Sequence, residues 1–342
     1  MHPGILLVNL GTPRAPERAD VARYLREFLT DRHVLDVATP LRLFLGGFLI
    51  PLVRSARSAE AYRSIWTERG SPLLFHSKDL AAALRARVAP IEVALGMRYG
   101  EPSIASALER LRDCDPIVVV PLYPQNAASS TGTAVEATER AARRLGVRER
   151  LRFVPPFHDR PEFLDAFAEV ARPHVEDAGP ELVLFSYHGL PERHVRRADP
   201  SGAHCLASPT CCDVVVDANR GCYRRQCLAT TRELAKRLGL APDRVATAFQ
   251  SRLGRDPWLG PPTDEVVRAA AASGVRRLAV LCPSFVADCL ETLEEIGGEA
   301  AKTFVEHGGE SFTLVPCPNA EPAWVSGLEA IVRDELGSRV DS

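Results

Sequence analysis

An α/β fold made of two similar halves, each a parallel sheet flanked by helices, is predicted from three features of this chain. Apolar strand-like runs alternate with helical patterns, the runs end in glycine, proline or polar breaks, and the series restarts near the middle. Taken in order, Ile5 to Asn9 leads through the turn Gly11-Thr12-Pro13 into a helix from about Pro16, where Val21, Leu25 and Phe28 recur at helical spacing. Further strands are expected at Ile91 to Leu95, Ile117 to Leu122 and Leu151 to Val154, with helices at Ser77 to Val88 and Val135 to Leu145. A helix around Glu162 to Val175 closes the first series, and Gly179-Pro180 breaks it.

The second series answers the first in order. LLVNLGTP at Leu6 is matched by VLFSYHGLP at Val183, VALGMRYG at Val93 by VATAFQSRLG at Val245, VVVPLYP at Val118 by LAVLCPSF at Leu278, and RFVPPF at Arg152 by FTLVPC at Phe312. The repeat divides the chain into a first domain, 1–175, and a second, 176–342. Two such halves are expected to present their strand ends to a ligand cleft, the usual place for a site in open α/β sheets.

Composition narrows the classes of function. The 342 residues are 46% hydrophobic and 25% charged, with net charge -2, so neither disorder nor a polyanionic partner is indicated and nucleic acid is excluded. No P-loop or GxGxxG fingerprint follows a strand, and no GxSxG elbow occurs, which disfavours nucleotide chemistry and serine hydrolysis. Met1 leads almost directly into the apolar run at Ile5 without the parts of a signal peptide, so a cytoplasmic protein is expected. The most apolar stretch, LRLFLGGFLIPLV from Leu41 to Val53, is too short to span a bilayer. It reads foremost as a core helix, with an exposed apolar lip as the alternative.

Two segments carry chemistry. LVLFSYHGLPE, from Leu182 to Glu192, is a buried strand that breaks at Gly189 and Pro191 and leaves His188 at its carboxyl end, where an imidazole can act as base or metal ligand near neutral pH. PSFVADCLETLEEI, from Pro283 to Ile296, runs from a strand end into a helix carrying Glu291, Glu295 and, just beyond, Glu299. Carboxylates four apart share a helix face and repel, by a few tenths of a kcal/mol per pair. The pattern is either a solvated acidic face or a ladder that meets cations or protons, and underwinding of the helix would align it better.

FSYHGLP and FVADCLETLEEI occur together with LLVNLGTP, YLREFLTDRHVLD, IWTERGSPL, VALGMRYGEPSI, PLYPQ and FQSRLGRDPWLGPPTDE, and in this order the set resembles ferrochelatase from about Ile5 to past Val315. The resemblance implies two Rossmann-like, chelatase-type halves and the insertion of Fe2+ into a porphyrin to make haem. It implies His188 as the active-site histidine, Glu291 as its partner carboxylate, and Glu295 and Glu299 as the ladder along the iron path. Arg32 resembles an arginine that meets a propionate and Trp258 an aromatic flanking the macrocycle; Tyr123 is expected at the same site. Leu10 stands where the coproporphyrin-using branch has a tyrosine, which points to protoporphyrin IX. The segment from about 34 to 54 then becomes an active-site lip, through which a peripheral contact with the inner face of the membrane is expected. No obligate protein partner is implied. Competing functions are a coproporphyrin III ferrochelatase, another tetrapyrrole metal chelatase, or a protein that binds haem or senses iron-sulfur status without turnover.

Two departures from the family concern cysteine. The chain stops at Ser342 without the cysteine-bearing extension of the animal enzymes, and Ala128 stands where those carry their first cluster cysteine. Between Asp199-Pro200 and Tyr223, however, lie 22 residues, 201–222, that simpler members lack, with Cys205, Cys211, Cys212 and Cys222. The spacing C-x5-C-C-x9-C in a cytoplasmic protein favours a metal site over disulfides, with a 2Fe-2S cluster first and structural zinc second. Having little apolar material, this loop is expected to need the metal as its staple. Cys227 is a reserve ligand, and Cys114, Cys282, Cys289 and Cys317 read as packing residues.

Overall fold

The computed structural model describes residues 2–337 apart from Leu253 and Arg255, so those two members of the FQSRLGRDPWLGPPTDE motif lie outside the described residues, as do 338–342. The described strands form two four-stranded, wholly parallel sheets. The first contains β1 (Gly4–Gly11), β2 (Glu92–Tyr99), β3 (Ile117–Pro121) and β4 (Leu151–Phe153) in the order β2-β1-β3-β4. The second contains β5 (Leu182–His188), β6 (Val245–Gln250), β7 (Arg277–Leu281) and β8 (Ser311–Leu314) in the order β6-β5-β7-β8. The same topology appears twice, and its strands are the four pairs of runs matched in the sequence. The inner strands β1 and β5 are paired on both edges and covered on both faces, so they read as nearly unbroken apolar runs.

The chain divides into two compact units, but not at residue 175. One comprises Met1–Tyr123, Ala127–Pro156 and the segment from Asn319 on; the other comprises Pro124–Asn126 and Phe157–Pro318. The helix Pro161–Ala178, counted with the first half in the sequence, packs against the helix Tyr223–Arg237 and against β7 and β8. The last helix, Pro322–Gly337, packs against Pro72–Val88 and β3. Each sheet needs a helix on either face, and Phe163 and Phe167 in one helix and Trp324 and Leu328 in the other are buried in doing so. Strand periodicity marks where a repeat begins, yet it carries no information on which sheet a following helix covers.

The segment read foremost as a core helix is exposed, which corrects that expectation. It consists of a short helix Thr39–Phe44, a π-helical turn Leu45–Leu49 and the helix Ile50–Ile65. Gly46 lies so close to the helix Arg18–Leu29 that a Cβ there would be 2.3 Å from the Leu29 carbonyl oxygen. That contact buries the glycine face and turns the large side chains outward, with Leu43 55%, Phe48 57% and Val53 69% exposed. Among the described residues no helix is long and apolar enough to cross a membrane.

Candidate active site

β5 delivers His188 to the sheet edge, and the next residue fixes how the imidazole is held. Gly189 admits no side chain, since a Cβ would meet the Gln250 carbonyl oxygen at 2.8 Å and the Trp258 ring at 3.3 Å. His188 Nδ1 lies 2.7 Å from the Gly189 carbonyl oxygen. A carbonyl only accepts, so the neutral ring carries its proton on Nδ1 and presents the Nε2 lone pair as base or metal ligand. Phe285 packs edge-on to the ring, with centroids 6.4 Å apart.

The carboxylates come from a π-helix, Glu291–Ala300, rather than a regular helix. Its i to i+5 hydrogen bonds add a residue to each turn, the underwinding that brings side chains four apart more nearly into line. Glu291 and Glu295 are half-buried on it and Glu299 is exposed. Burial pushes the Glu295 pKa up, Ser251 and the nearby His188 oppose this, and Glu291 reinforces it. Glu295 thus interacts electrostatically with both Glu291 and His188, and burial favours its neutral form.

Two residues at the carboxyl end of β6, the strand beside β5, hold this arrangement. Gln250, opposite His188 in the sheet register, is buried; its Nε2 donates to the Glu291 carbonyl oxygen at 2.8 Å and its Oε1 accepts from the Ser186 hydroxyl at 2.8 Å. Ser251 has φ 65°, the left-handed region that a serine rarely adopts. In that conformation its N–H donates to Glu295 Oε1 at 2.7 Å and its hydroxyl donates to Oε2. The role of Ser251 was not read from the sequence; a polar residue directly after a strand end was the available signal.

The other expected contacts lie mostly in the first unit. Leu10 is half-buried at the end of β1. Arg32 is largely exposed and donates to Glu136 Oε2 at 3.0 Å, an oxygen that His33 Nε2 approaches to 2.5 Å. Behind it is a group the sequence did not reveal: Asp31 accepts from Arg98, from Thr133 at 2.6 Å, from Tyr99 at 3.0 Å and from the His33 N–H at 2.7 Å. Burial pushes the Asp31 pKa up, but these bonds and the Arg98 charge outweigh it and hold the carboxyl below its usual range. The buried Tyr123 hydroxyl has no hydrogen-bond partner among the described residues, and burial raises its pKa far above the usual phenol range. Trp258, in the second unit, bridges in backbone to Pro191 and packs over Gly189.

The cysteine-rich insertion is built by polar hubs. Asp199 accepts from the N–H groups of His204 and Cys205, both at 2.8 Å, and from the Ser201 N–H and hydroxyl. The Cys205 N–H foremost, with the other donors, holds that carboxyl well below its usual range. Asn219, fully buried, donates to the carbonyls of Cys211 at 2.9 Å and Val214 at 2.8 Å and accepts from the Val216 N–H at 3.0 Å. The segment therefore has its own internal framework, which the expectation of a loop dependent on metal did not include. Cys205, Cys211, Cys212 and Cys222 are all buried, with the sulfurs of Cys211 and Cys212 3.8 Å apart. Arg224 donates to Cys212 Sγ at 3.3 Å and Cys211 Sγ at 3.6 Å, and the Leu206 N–H to Cys211 Sγ at 3.4 Å. A hydrogen bond from Cys212 lowers the Cys222 pKa and raises its own. Among the described residues no three His, Cys, Asp or Glu side chains are gathered to hold a metal ion.

A two-sheet α/β architecture of this kind is that of the chelatases. The solved structure titled SirB from Bacillus subtilis with Fe3+ matches 99% of this chain and 97% of its own with a TM-score of 0.54 at 14% identity, a likeness of fold. The Ferrochelatase family profile matches residues 2–336. Curated ferrochelatases are similar along the whole length: that of Azotobacter vinelandii (strain DJ) is 49% identical over 96% of this chain and 98% of its own, and that of Legionella pneumophila (strain Corby) is 45% identical over 98% and 100%. This chain belongs to the ferrochelatase family. It is a lyase of haem biosynthesis, with ferrous iron as substrate.

Proposed function

We propose that this chain inserts Fe2+ into protoporphyrin IX in preference to coproporphyrin III, with His188 as the base and Glu291 as its partner. The observation that supports the residue assignment is the Nδ1–H donation of His188 to Gly189, which leaves the lone pair on Nε2, together with the electrostatic interaction of Glu295 with both His188 and Glu291. Insertion requires two pyrrole N–H protons to leave as the metal enters, and a neutral imidazole near a carboxylate is suited to take them. Glu295, with Glu299 at the exposed end, forms the path along which Fe2+ arrives; oxygen ligands bind ferrous iron loosely enough to pass it on. An apolar and aromatic enclosure would bend the flat ring so that its lone pairs meet the iron. Leu10, Arg32, Tyr123 and Trp258 are the porphyrin contacts in this reading. The orphaned Tyr123 hydroxyl and the apolar Leu10 support it, Leu10 because it offers no oxygen to the metal.

A 2Fe-2S cluster on Cys205, Cys211, Cys212 and Cys222 belongs to the same proposal. Four buried thiols, of which Cys211 and Cys212 receive N–H donors from Arg224 and Leu206, suit sulfur-rich ligation, and a cluster bridged by sulfide does not require its thiolates to meet at one ion. When bound, the cluster would cross-link the insertion. We place the protein in the cytoplasm with the outward apolar residues of the lip, about 34–54, touching the inner face of the membrane. Anaerobic initial rates with Fe2+ and each porphyrin test the substrate: a higher kcat/KM for protoporphyrin IX is expected, and a higher value for coproporphyrin III refutes it. For the cluster, anaerobically purified protein should be reddish, with iron and acid-labile sulfide in equal amounts, and bleached by serine at any of the four positions. Colourless protein with one zinc per chain would establish the zinc alternative instead.

A further inference from the structure

Both main-chain groups of His188 are held by side chains that have no place in the proposed chemistry. The His188 N–H donates to Ser284 Oγ at 3.4 Å, and the His188 carbonyl oxygen accepts from the Tyr223 hydroxyl at 2.7 Å. Tyr223 Oη and Ser284 Oγ are themselves 3.1 Å apart. The proton positions follow from chemistry. The carbonyl only accepts, so the single tyrosine proton points to it; the N–H only donates, so the serine oxygen receives it; the third bond must then run from the Ser284 hydroxyl to the Tyr223 oxygen. The result is a closed ring in which each hydroxyl both accepts and donates, the arrangement in which hydrogen bonds reinforce one another.

The peptide between His188 and Gly189 is held on both edges, since the Gly189 N–H donates to the Gln250 carbonyl oxygen at 2.7 Å. Turning that peptide would displace Gly189 and with it the carbonyl that accepts from His188 Nδ1 and fixes the tautomer. Tyr223 is also the first residue of the helix Tyr223–Arg237, and its predecessor Cys222, at the N-cap position, donates its N–H to the carbonyl oxygen of Asn219, the hub of the insertion, at 2.9 Å. A shift of Cys222 is therefore transmitted to Tyr223 across a single peptide.

We propose that Tyr223 and Ser284 are positioning residues for His188, and that through Tyr223 the cysteine-rich insertion sets the orientation of the imidazole. The proposal rests on the reading of His188 as base, and its test separates the two. In Tyr223→Phe, which keeps the ring and loses the hydroxyl, kcat is expected to fall about tenfold, the size of one lost hydrogen bond, with an unchanged KM for porphyrin. The 15N signals of the His188 imidazole should show a mixed tautomer. Ser284→Ala opens the same ring and should match it, and the double variant should be no slower than the slower single one, because a ring is opened once. Cys222→Ser should produce the same tautomer change. Unaltered imidazole signals in both Tyr223→Phe and Ser284→Ala overturn the positioning role even if His188→Ala is inactive, and unaltered signals in Cys222→Ser alone overturn the link to the insertion. Turnover retained by His188→Ala, with the tautomer shifted in Tyr223→Phe, removes the base assignment and leaves the positioning intact. Should Tyr223→Phe not fold, Ser284→Ala decides.

Discussion

Replacing Ser251 with glycine isolates the hydroxyl that holds Glu295. The backbone N–H that donates to Oε1 stays, while the donor to Oε2 is lost. At φ 65° glycine is relaxed where serine is strained, so about 1 kcal/mol of backbone strain is relieved. A hydrogen bond to a carboxylate contributes about 1.5–3 kcal/mol, and the low end applies because one donor remains. Stability should therefore change by less than about 1 kcal/mol, while the ionisation equilibrium of Glu295 moves by roughly tenfold towards the neutral acid. Burial already raises this pKa and Ser251 opposes it, so the variant has the higher value. A carboxyl with a raised folded-state pKa contributes stability that is full below its unfolded value and lost as pH rises through the folded one. In the variant that loss is larger at neutral pH, which the relieved strain offsets. On the proposed iron path the anionic form is the one that would meet iron, so rates at limiting Fe2+ should fall up to about tenfold on the acid side and recover as pH rises. Anaerobic initial rates against Fe2+ over a pH series, with thermal melts beside them, provide the assay. Wild-type iron dependence at every pH, or a deficit independent of pH, would refute the reasoning.

Three further outcomes follow from the site. Glu291→Gln should be severely slow with porphyrin binding retained, measured by single-turnover rates and porphyrin fluorescence; near wild-type turnover would remove its partnership with His188. Glu299→Gln, at the exposed end of the π-helix, should act only on iron dependence and more weakly than Glu295→Gln; if neither changes that dependence, the ladder is a solvated face. Gly189→Ala drives a Cβ to 2.8 Å from the Gln250 carbonyl oxygen and should cost about 2 kcal/mol of stability, lowering Tm by several degrees; an unchanged melt would show that β5 and β6 separate there without penalty.

Most of the scaffold was legible because its signals are local. The eight strands lie on the apolar runs picked out in the sequence, and the ordered likeness of the two halves became one topology repeated. His188 was legible because a strand, a histidine and a Gly-Leu-Pro break together locate a sheet edge. What escaped depends on partners far apart in the chain. The helices Pro161–Ala178 and Pro322–Gly337 have ordinary amphipathic patterns that fit either sheet, so their assignment to a unit could not be read. The outward turn of Leu43, Phe48 and Val53 depends on Gly46 meeting Leu29, and apolar composition alone favours burial. The framework of the insertion was missed because Asp199 and Asn219 resemble ordinary turn residues until their carbonyl and N–H partners are known. Ser251 gave no sign of its left-handed backbone, since that conformation is set by the Glu295 carboxylate it serves.

The claim that His188 takes porphyrin protons as iron enters is tested most directly by counting protons. Under anaerobic conditions, with protoporphyrin IX and Fe2+ in a weakly buffered indicator solution, the wild-type protein should release two protons for each haem formed. His188→Ala should bind porphyrin, quench its fluorescence and release none. Haem formation and proton release by His188→Ala at the wild-type rate would contradict the account.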